Sequence, residues 1–379
     1  MDLDESAEEQ AFRAQARQWL RAHVPAEPPA SLETEEGFAE HRAWEARLYA
    51  DRWSVVSWPE EYGGRGVDLV KWLIFEEEYY AAGAPARVSQ NGISLLAPTL
   101  FDHGSREQQA RILPPTASGE VIWAQAWSEP EAGSDLASLT SRAVRTDGGW
   151  LLSGQKTWSS RAAFADRAFG LFRSEPGTPK PHQGLTYVMF DLHAPGVTVR
   201  PIARLDGKPA FAELFLDDVF VPDEDVIGEP GRGWRIAMST AANERGLTLR
   251  SPGRFLAAAS RLHELWQAQG SPESARRRVA DALIGSRAYQ LFTYAAAARF
   301  LDGEPLGAQS SLNKVFWSEY DIALHETALD VLGPEGECAD TEWSEPYVFS
   351  LAGPIYAGTN EIQRDLVAEH LLGLPKGRR

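Results

Sequence analysis

A single cysteine, Cys338, is all the thiol chemistry this chain of 379 residues possesses. That excludes an intramolecular disulfide and fits a reducing compartment. Positive charge is also scarce: 37 Lys and Arg stand against 54 Asp and Glu, a net charge of −17. Such a balance argues against nucleic acid or an anionic membrane as partner, while leaving room for an anionic ligand in a local pocket of donors. The opening MDLDESAEEQ has neither the basic nor the apolar region of a secretory signal. No apolar run approaches the roughly 18 residues that span a bilayer, so no membrane span is expected. Internal repeats and low-complexity tracts are absent. The cytoplasm is the expected compartment. What remains is an ordinary globular composition, 43% hydrophobic and 24% charged, long enough for roughly two or three structural units.

What the chain does have is periodicity. Ala11, Phe12, Ala16, Trp19 and Leu20 form a helical stripe that Val24-Pro25 should end. A loop through Pro28-Pro29 leads to a second helix over 38–48, and a glycine-rich connector over 58–66 leads to a third over 67–82. Shorter helical pieces are predicted over 93–103 and 107–112. Gly63, Gly64 and Gly66 follow no strand and have the wrong spacing for a dinucleotide fingerprint, so a turn is expected there.

Near Gly119 the period shortens to that of strands. Strands are predicted over 121–127, over 150–154 after the turn Asp147-Gly148-Gly149, and over 168–173, 185–192, 197–202 and 211–216. Short strands with such punctuation suggest a small barrel or sandwich, closing near Val221-Pro222 and the loop 228–233. Helix then returns over 235–248, and Pro252-Gly253 should kink or end it before 255–268. Ser271-Pro272-Glu273 reads as an N-cap and first turn for a helix to Leu301, stopped by Asp302-Gly303. Another is predicted over 311–332, ended by Gly333-Pro334, and a last over 361–372, with Ile362, Leu366 and His370 on one face. The expected architecture is α+β, mainly α: an N-terminal helical domain at 1–118, a middle β-barrel or sandwich at 119–230 and a C-terminal four-helix bundle at 231–379. That order invites a ligand at the domain junctions.

Three stretches carry candidate chemistry. Trp127-Ser128-Glu129-Pro130-Glu131-Ala132-Gly133-Ser134-Asp135 follows a predicted strand and gathers small and hydroxyl residues whose donors can converge on an oxygen-rich ligand. Gln155-Lys156-Thr157-Trp158-Ser159-Ser160 sets a flat ring beside hydroxyls, a combination suited to a planar cofactor with ring nitrogens. Ile355-Tyr356-Ala357-Gly358-Thr359-Asn360-Glu361-Ile362-Gln363-Arg364 reads as a tight turn feeding a helix N-terminus, whose unpaired N–H groups can seat a carbonyl or phosphate oxygen. Each has a structural alternative: Trp127 and Trp158 as core residues among thirteen tryptophans, Ser160 as a turn cap, and the last stretch as a capped helix.

Taken in order, these stretches resemble the acyl-CoA dehydrogenase family over essentially the whole chain. The resemblance is carried by Trp58-Pro59-Glu60-Glu61-Tyr62-Gly63-Gly64, Ser128-Glu129-Pro130, Gly133-Ser134-Asp135, Gly154-Gln155-Lys156-Thr157-Trp158, Asp218-Val219-Phe220-Val221-Pro222, 228–234 and 356–364. It implies FAD held between β-domain and bundle, partly by a neighbouring subunit. Carried over, Gln125, Trp127 and Ser128 line the flavin ring, and Gly133 and Ser134 lie near the pyrophosphate and the incoming thioester. Trp158 flanks the isoalloxazine, Ser160 bonds its N5 region, and Thr359 and Glu361 reach the cofactor from the last helix. The implied reaction is α,β-dehydrogenation of an acyl-CoA or a carrier-bound acyl thioester, with hydride passing to flavin N5 and electrons going on to an electron-transfer flavoprotein or similar acceptor. A homodimer or homotetramer is implied, with a heteromer as the alternative.

The sequence departs from the family at the catalytic base. Many members carry a carboxylate immediately before the Gly-Thr of the last turn, where this chain has Ala357. Its backbone N–H can still polarise the thioester carbonyl. Other members place the base before an arginine on the first bundle helix, where this chain has Glu244-Arg245. Glu244 interrupts an apolar stripe of Ile236, Ala237, Ala241 and Leu247, and is either the base or half of an ion pair with Arg245 or Arg250. Arg245 is also a candidate for binding substrate. The family's Arg-x-x-Phe-Gly segment is absent; Arg276, Arg277 and Arg278 occupy that region as a substitute cation. The break at Pro252-Gly253 would reshape the acyl pocket for a bulky chain. Two alternatives accompany the enzyme reading: a subunit that binds FAD or completes a partner's site without doing chemistry, and an oxidase on the same fold.

Overall fold

Hydroxyl and carboxylate side chains start the N-terminal helices. Ser6 accepts from the Glu9 N–H while Glu9 reaches back to Ser6, a capping box for α1 (Ala7–His23). Thr34 caps α2 (Glu35–Ala50) and Asp68 caps α3 (Leu69–Ala81), each side chain accepting one N–H from the first turn. The computed structural model describes residues 5–245, 251–304, 307–338 and 341–377, without the side chains of 243–245. By its internal contacts the chain divides into two compact units, Glu27–Gly66 with Pro85–Glu244, and Met1–Ala26 with Val67–Ala84 and Arg245–Arg379.

The first of these units is built on one sheet. Its strands are β1 (Trp123–Ala126), β2 (Arg142–Thr146), β3 (Gly149–Ser160), β4 (Arg167–Arg173), β5 (Leu185–Asp191), β6 (Val197–Ile202), β7 (Phe211–Pro222) and β8 (Val226–Ile227). They run in the order β6-β7-β3-β2-β4-β5-β8, with β1 parallel to β4 off that path. Alternation on β4 serves two cores. Ala168 and Phe172 face an interior lined by Ala143, Leu152, Leu214 and Val219 from other strands. Phe169 and Leu171 face helices, against Leu96 and Leu100, Leu113, and Ile236. Those residues come from a π-helical turn, Gly92–Leu96, running into α4 (Ala97–His103), from α5 (Arg106–Ala117) and from α6 (Gly233–Arg245).

The second unit is helical. It joins α1 and α3 to α7 (Pro252–Ala268), α8 (Glu273–Leu301), α9 (Gln309–Leu332), α10 (Ser344–Ser350) and α11 (Asn360–His370). Small residues let α7, α8 and α9 pack closely: Ala258, Ala259, Ala275, Ala282 and Ala328 surround Leu262, Leu324 and Trp343. Arg13 of α1 binds Glu77 and Glu78 of α3, each at 2.8 Å. A Cβ at Gly253 would lie 2.5 Å from the Glu76 carbonyl, so α7 starts hard against α3.

Several sequence expectations are corrected. The helix predicted to stop at Ile112 runs on through Pro114 and Pro115 to Ala117. Burial of Leu113, Thr116 and Ala117 outweighs the lost hydrogen bonds, and the Trp123 Nε1–H donates to Thr116 Oγ1 at 3.0 Å. The break expected at Pro252-Gly253, by contrast, holds: Ser251 is extended, and Pro252 opens a separate helix, α7, at its first position, where a missing N–H costs nothing. Pro272, rather than Ser271, occupies the N-cap position of α8. The strand β2 and the helix α10 have no counterpart in the sequence periodicity. On α11 the buried side chains are Asn360 and Gln363, whereas Ile362 and Leu366 are half-buried and His370 is exposed.

Candidate active site

A buried ion pair fixes the loop that leaves β1. Lys156, on β3, has no exposed surface. Its Nζ donates to Glu129 Oε1 at 2.9 Å, to Leu171 O at 2.7 Å and to Trp127 O at 3.3 Å, and lies 4.7 Å from the Phe172 ring centre. Glu129 also accepts from the Thr140 N–H at 2.7 Å and the Ser141 N–H at 2.9 Å. Burial pushes the Glu129 carboxyl up, but the Lys156 ammonium and these N–H groups outweigh it and hold it at about 2. Burial likewise pulls the Lys156 ammonium down to about 8, against the pull of Glu129. The Thr157 N–H donates to Ser128 O at 2.9 Å and completes the clamp. Both charged residues lie within motifs read from the sequence, but their neighbours there are largely polar, so nothing in either motif marks the pair as buried.

The same strand turns Trp158 outward. The register of β3 against β7 shifts between Lys156 and Ser159, and Trp158 takes a φ of 59°. The residue is 61% exposed, with its ring edge-on to Phe211 at 6.0 Å, so it is not a core residue. Ser160 is half-buried and paired with Phe211, while Ser159, passed over in the sequence, is fully buried. Trp127 does belong to the core, edge-on to Tyr187 at 6.2 Å.

Among the described residues, the Gln125 Nε2, the Trp127 Nε1 and the Ser159 Oγ are buried with no hydrogen-bond partner. Leaving such atoms unmet costs about 1–3 kcal/mol each, which an oxygen- and nitrogen-bearing ligand would recover. Ser128 is half-buried, and Gly133 and Ser134 are exposed. A Cβ on Gly133 would meet nothing within 4 Å, so its backbone stays open to a ligand. These features fit a planar, heteroatom-rich cofactor.

The turn before α11 is built separately, in the helical unit. Ala357 and Gly358 are consecutive left-handed residues, at φ 56° and 79°. Gln363 Nε2 donates to Ala357 O at 3.0 Å, and a Cβ on Gly358 would come within 2.4 Å of that nitrogen. Among the described residues nothing accepts from the Ala357 N–H. Thr359 caps α11, its Oγ1 accepting from the Ile362 N–H at 3.3 Å. Glu361 is exposed, and its carboxyl is held below the ordinary range by its own N–H and then by the Thr359 hydroxyl.

Glu244 and Arg245 are the last residues of α6, and their side chains, with residues 246–250 including Arg250, lie outside the described residues. One turn earlier Thr240 is fully buried, bonded to Thr99 at 2.6 Å and to Tyr187 at 3.3 Å. Glu213 is engaged by Arg200 and by Gln155 Nε2 at 3.0 Å. Arg276, Arg277 and Arg278 sit on the surface of α8, against Glu273, Asp281 and Asp330.

Three family models match the chain: the acyl-CoA dehydrogenase N-terminal domain over residues 6–120, the middle domain over 124–219 and the C-terminal domain over 231–372. Acyl-CoA dehydrogenase IpdE1 of Mycobacterium tuberculosis is 38% identical, the alignment covering 96% of this chain and 97% of that one. Among solved structures, the Tcur3481-Tcur3483 steroid ACAD superposes with a TM-score of 0.88 at 27% identity, and the ChsE4-ChsE5 complex from Mycobacterium tuberculosis with 0.86 at 26%, each over all of both chains. The chain belongs to the acyl-CoA dehydrogenase family, flavoprotein oxidoreductases that dehydrogenate acyl-CoA thioesters.

Proposed function

We propose that this enzyme binds FAD and introduces an α,β double bond into the acyl chain of a CoA thioester, with Glu244 as the base. The observation that carries the cofactor assignment is that Gln125, Trp127 and Ser159, all in or next to the motifs of β1 and β3, keep buried atoms without a partner while Trp158 on β3 is turned outward. When bound, the flavin supplies the acceptor for the hydride from the β-carbon. Gln125, Trp127, Ser128, Trp158 and Ser160 hold its ring, Gly133 and Ser134 its pyrophosphate and the thioester, and Thr359 and Glu361 reach it from α11. The Ala357 N–H polarises the thioester carbonyl, and Glu244, beside the substrate-binding Arg245, removes the α-proton. That proton is weakly acidic, so both the carbonyl donor and a poorly solvated base are needed.

Anaerobic titration with straight-chain, branched and ring-bearing acyl-CoAs, followed by flavin absorbance, tests this. Bleaching by at least one class is expected, and none by any class would refute it. The steroid ACAD among the similar structures favours a ring-bearing acyl group. Trp158→Ala should leave thermal stability within about 0.5 kcal/mol of wild type, because the ring is exposed. Flavin affinity should fall about tenfold with the lost stacking, as read by equilibrium dialysis. Undiminished affinity would remove Trp158 from the site.

A second reading is favoured by Ala357 and by the two-chain make-up of the Tcur3481-Tcur3483 and ChsE4-ChsE5 proteins: this chain as one half of a heteromer, with the missing carboxylate supplied by or unneeded beside its partner. Activity appearing only on mixing with a related chain supports it; full activity and flavin content alone supports the homo-oligomer. An electron-transfer flavoprotein or similar acceptor reoxidises the enzyme in either case.

A further inference from the structure

A lysine buried in the helical unit meets the start of α11 just below the turn that carries Ala357. The interior face of α9 is unusually polar: Asn313, Lys314, Ser318 and Asp321 are buried there beside Trp317. Lys314 has no exposed surface, and an ammonium is among the costliest groups to bury. Its Nζ donates to Asn360 Oδ1 at 2.8 Å, and Ser318 Oγ donates to the same oxygen at 3.1 Å. Asn360 Nδ2 donates to Glu319 Oε1 at 3.2 Å, and Glu319 pairs with Arg364. The Asn360 N–H is itself bound to Pro354 O at 2.8 Å.

Asn360 is the first residue of α11, directly after the Thr359 cap. Lys314 therefore grips the chain just after the left-handed pair Ala357-Gly358, while Gln363 holds the carbonyls of that pair at 3.0 and 3.4 Å. The turn is pinned from both sides by buried polar side chains. The lysine's field also reaches beyond Asn360. After the Glu361 N–H, the Thr359 hydroxyl and Arg364, it helps to hold the Glu361 carboxyl down. A cation sealed from water adds to the partial positive charge at the helix N-terminus and is poorly screened.

We propose that Lys314 is a positioning residue for the dehydrogenation. Through Asn360 it fixes the Ala357-Gly358 turn and biases it toward the negative charge that develops on the thioester oxygen. This rests on the reading that the Ala357 N–H meets that oxygen.

The test uses the holoenzyme and acetoacetyl-CoA, a β-keto thioester whose enolate and keto forms differ in ultraviolet absorbance. The measured quantity is the pH at which the bound thioester loses its α-proton. Wild type should enolise it at lower pH than free solution does. Lys314→Met should raise that pH by about one unit or more and lower kcat about tenfold, with KM changed less than about threefold. A merely structural lysine would lower Tm and holoenzyme yield without moving the enolisation pH of the folded enzyme. Equal enolisation pH in wild type and variant, both below that of the free thioester, overturns the assignment of Lys314. No lowering by wild type overturns the role of Ala357, and the proposal with it. Should Lys314→Met not fold, Lys314→Gln, which keeps a donor without the charge, makes the same comparison. Ser318→Ala should shift the pH in the same direction but less.

Discussion

Glu244→Gln should yield a folded, yellow enzyme whose flavin no longer bleaches with substrate, with kcat lower by about 10³-fold or more. Gln is nearly isosteric but cannot accept the α-proton, and Ala357 offers no carboxylate in the turn to replace it. The buried face of α6 at Ile236, Ala237 and Thr240 is untouched, as are the β1 and β3 residues assigned to the flavin. Stability should therefore stay within about 0.5 kcal/mol of wild type. The ion-pair alternative predicts the opposite pattern. If Glu244 serves to neutralise Arg245 or Arg250, the Gln variant keeps its turnover and loses stability, by about 3 kcal/mol if the pair is buried. Stopped-flow bleaching and thermal unfolding on the same preparation separate the two outcomes.

Lys156→Met should destabilise the protein by about 3 kcal/mol and strip it of flavin, because Glu129 would be left charged and buried. The N–H groups of Thr140 and Ser141 still bind the carboxylate, which keeps the loss at the low end for a broken buried pair. Glu129→Gln in the same background should recover part of it, and the double-mutant cycle measures the coupling. The pair also sets a pH window. The folded-state value for Glu129 lies below its ordinary 4.5, near 2, so its contribution is present above about pH 4.5 and is lost as pH falls from there toward 2. Acid unfolding should be less steep over that interval in Lys156→Met than in wild type. Identical acid limbs, or flavin retained in full, would show that the clamp does not order the loop over 127–135.

The order of helices, sheet and helices was legible because apolar period reports burial, and burial is what most of these elements share. Where burial is polar, the period misleads. On α11 the visible Ile362 and Leu366 are only half-buried, and the residues that dock it are Asn360 and Gln363. The strand β2 buries only Ala143 among exposed arginines, so it left no apolar run to find. Proline rules failed on α5 because tertiary packing overrode local cost, and held at Pro252, whose place in α7 is one where proline is tolerated. At the site, resemblance supplied Gln125, Trp127 and Trp158, but Ser159 and the Lys156–Glu129 pair emerge only from a register shift and a burial pattern. No spacing rule encodes either.

The helical unit is assembled from three separate stretches of chain, and this has a consequence for biosynthesis. Arg13 joins α1 to α3, and Leu73 of α3 packs on Ala296 and Ala297 of α8, while the sheet unit is complete by Glu244. At ordinary elongation speeds α1 leaves the ribosome roughly ten to fifty seconds before α7 and α8 exist to receive it. The sheet unit can fold as soon as Glu244 has emerged, without waiting for the bundle, whereas Leu73 of α3 must stay in water or on a chaperone until α8 arrives. Slower translation across the bundle should therefore lengthen this exposure and raise the share of newly made chain lost to aggregation.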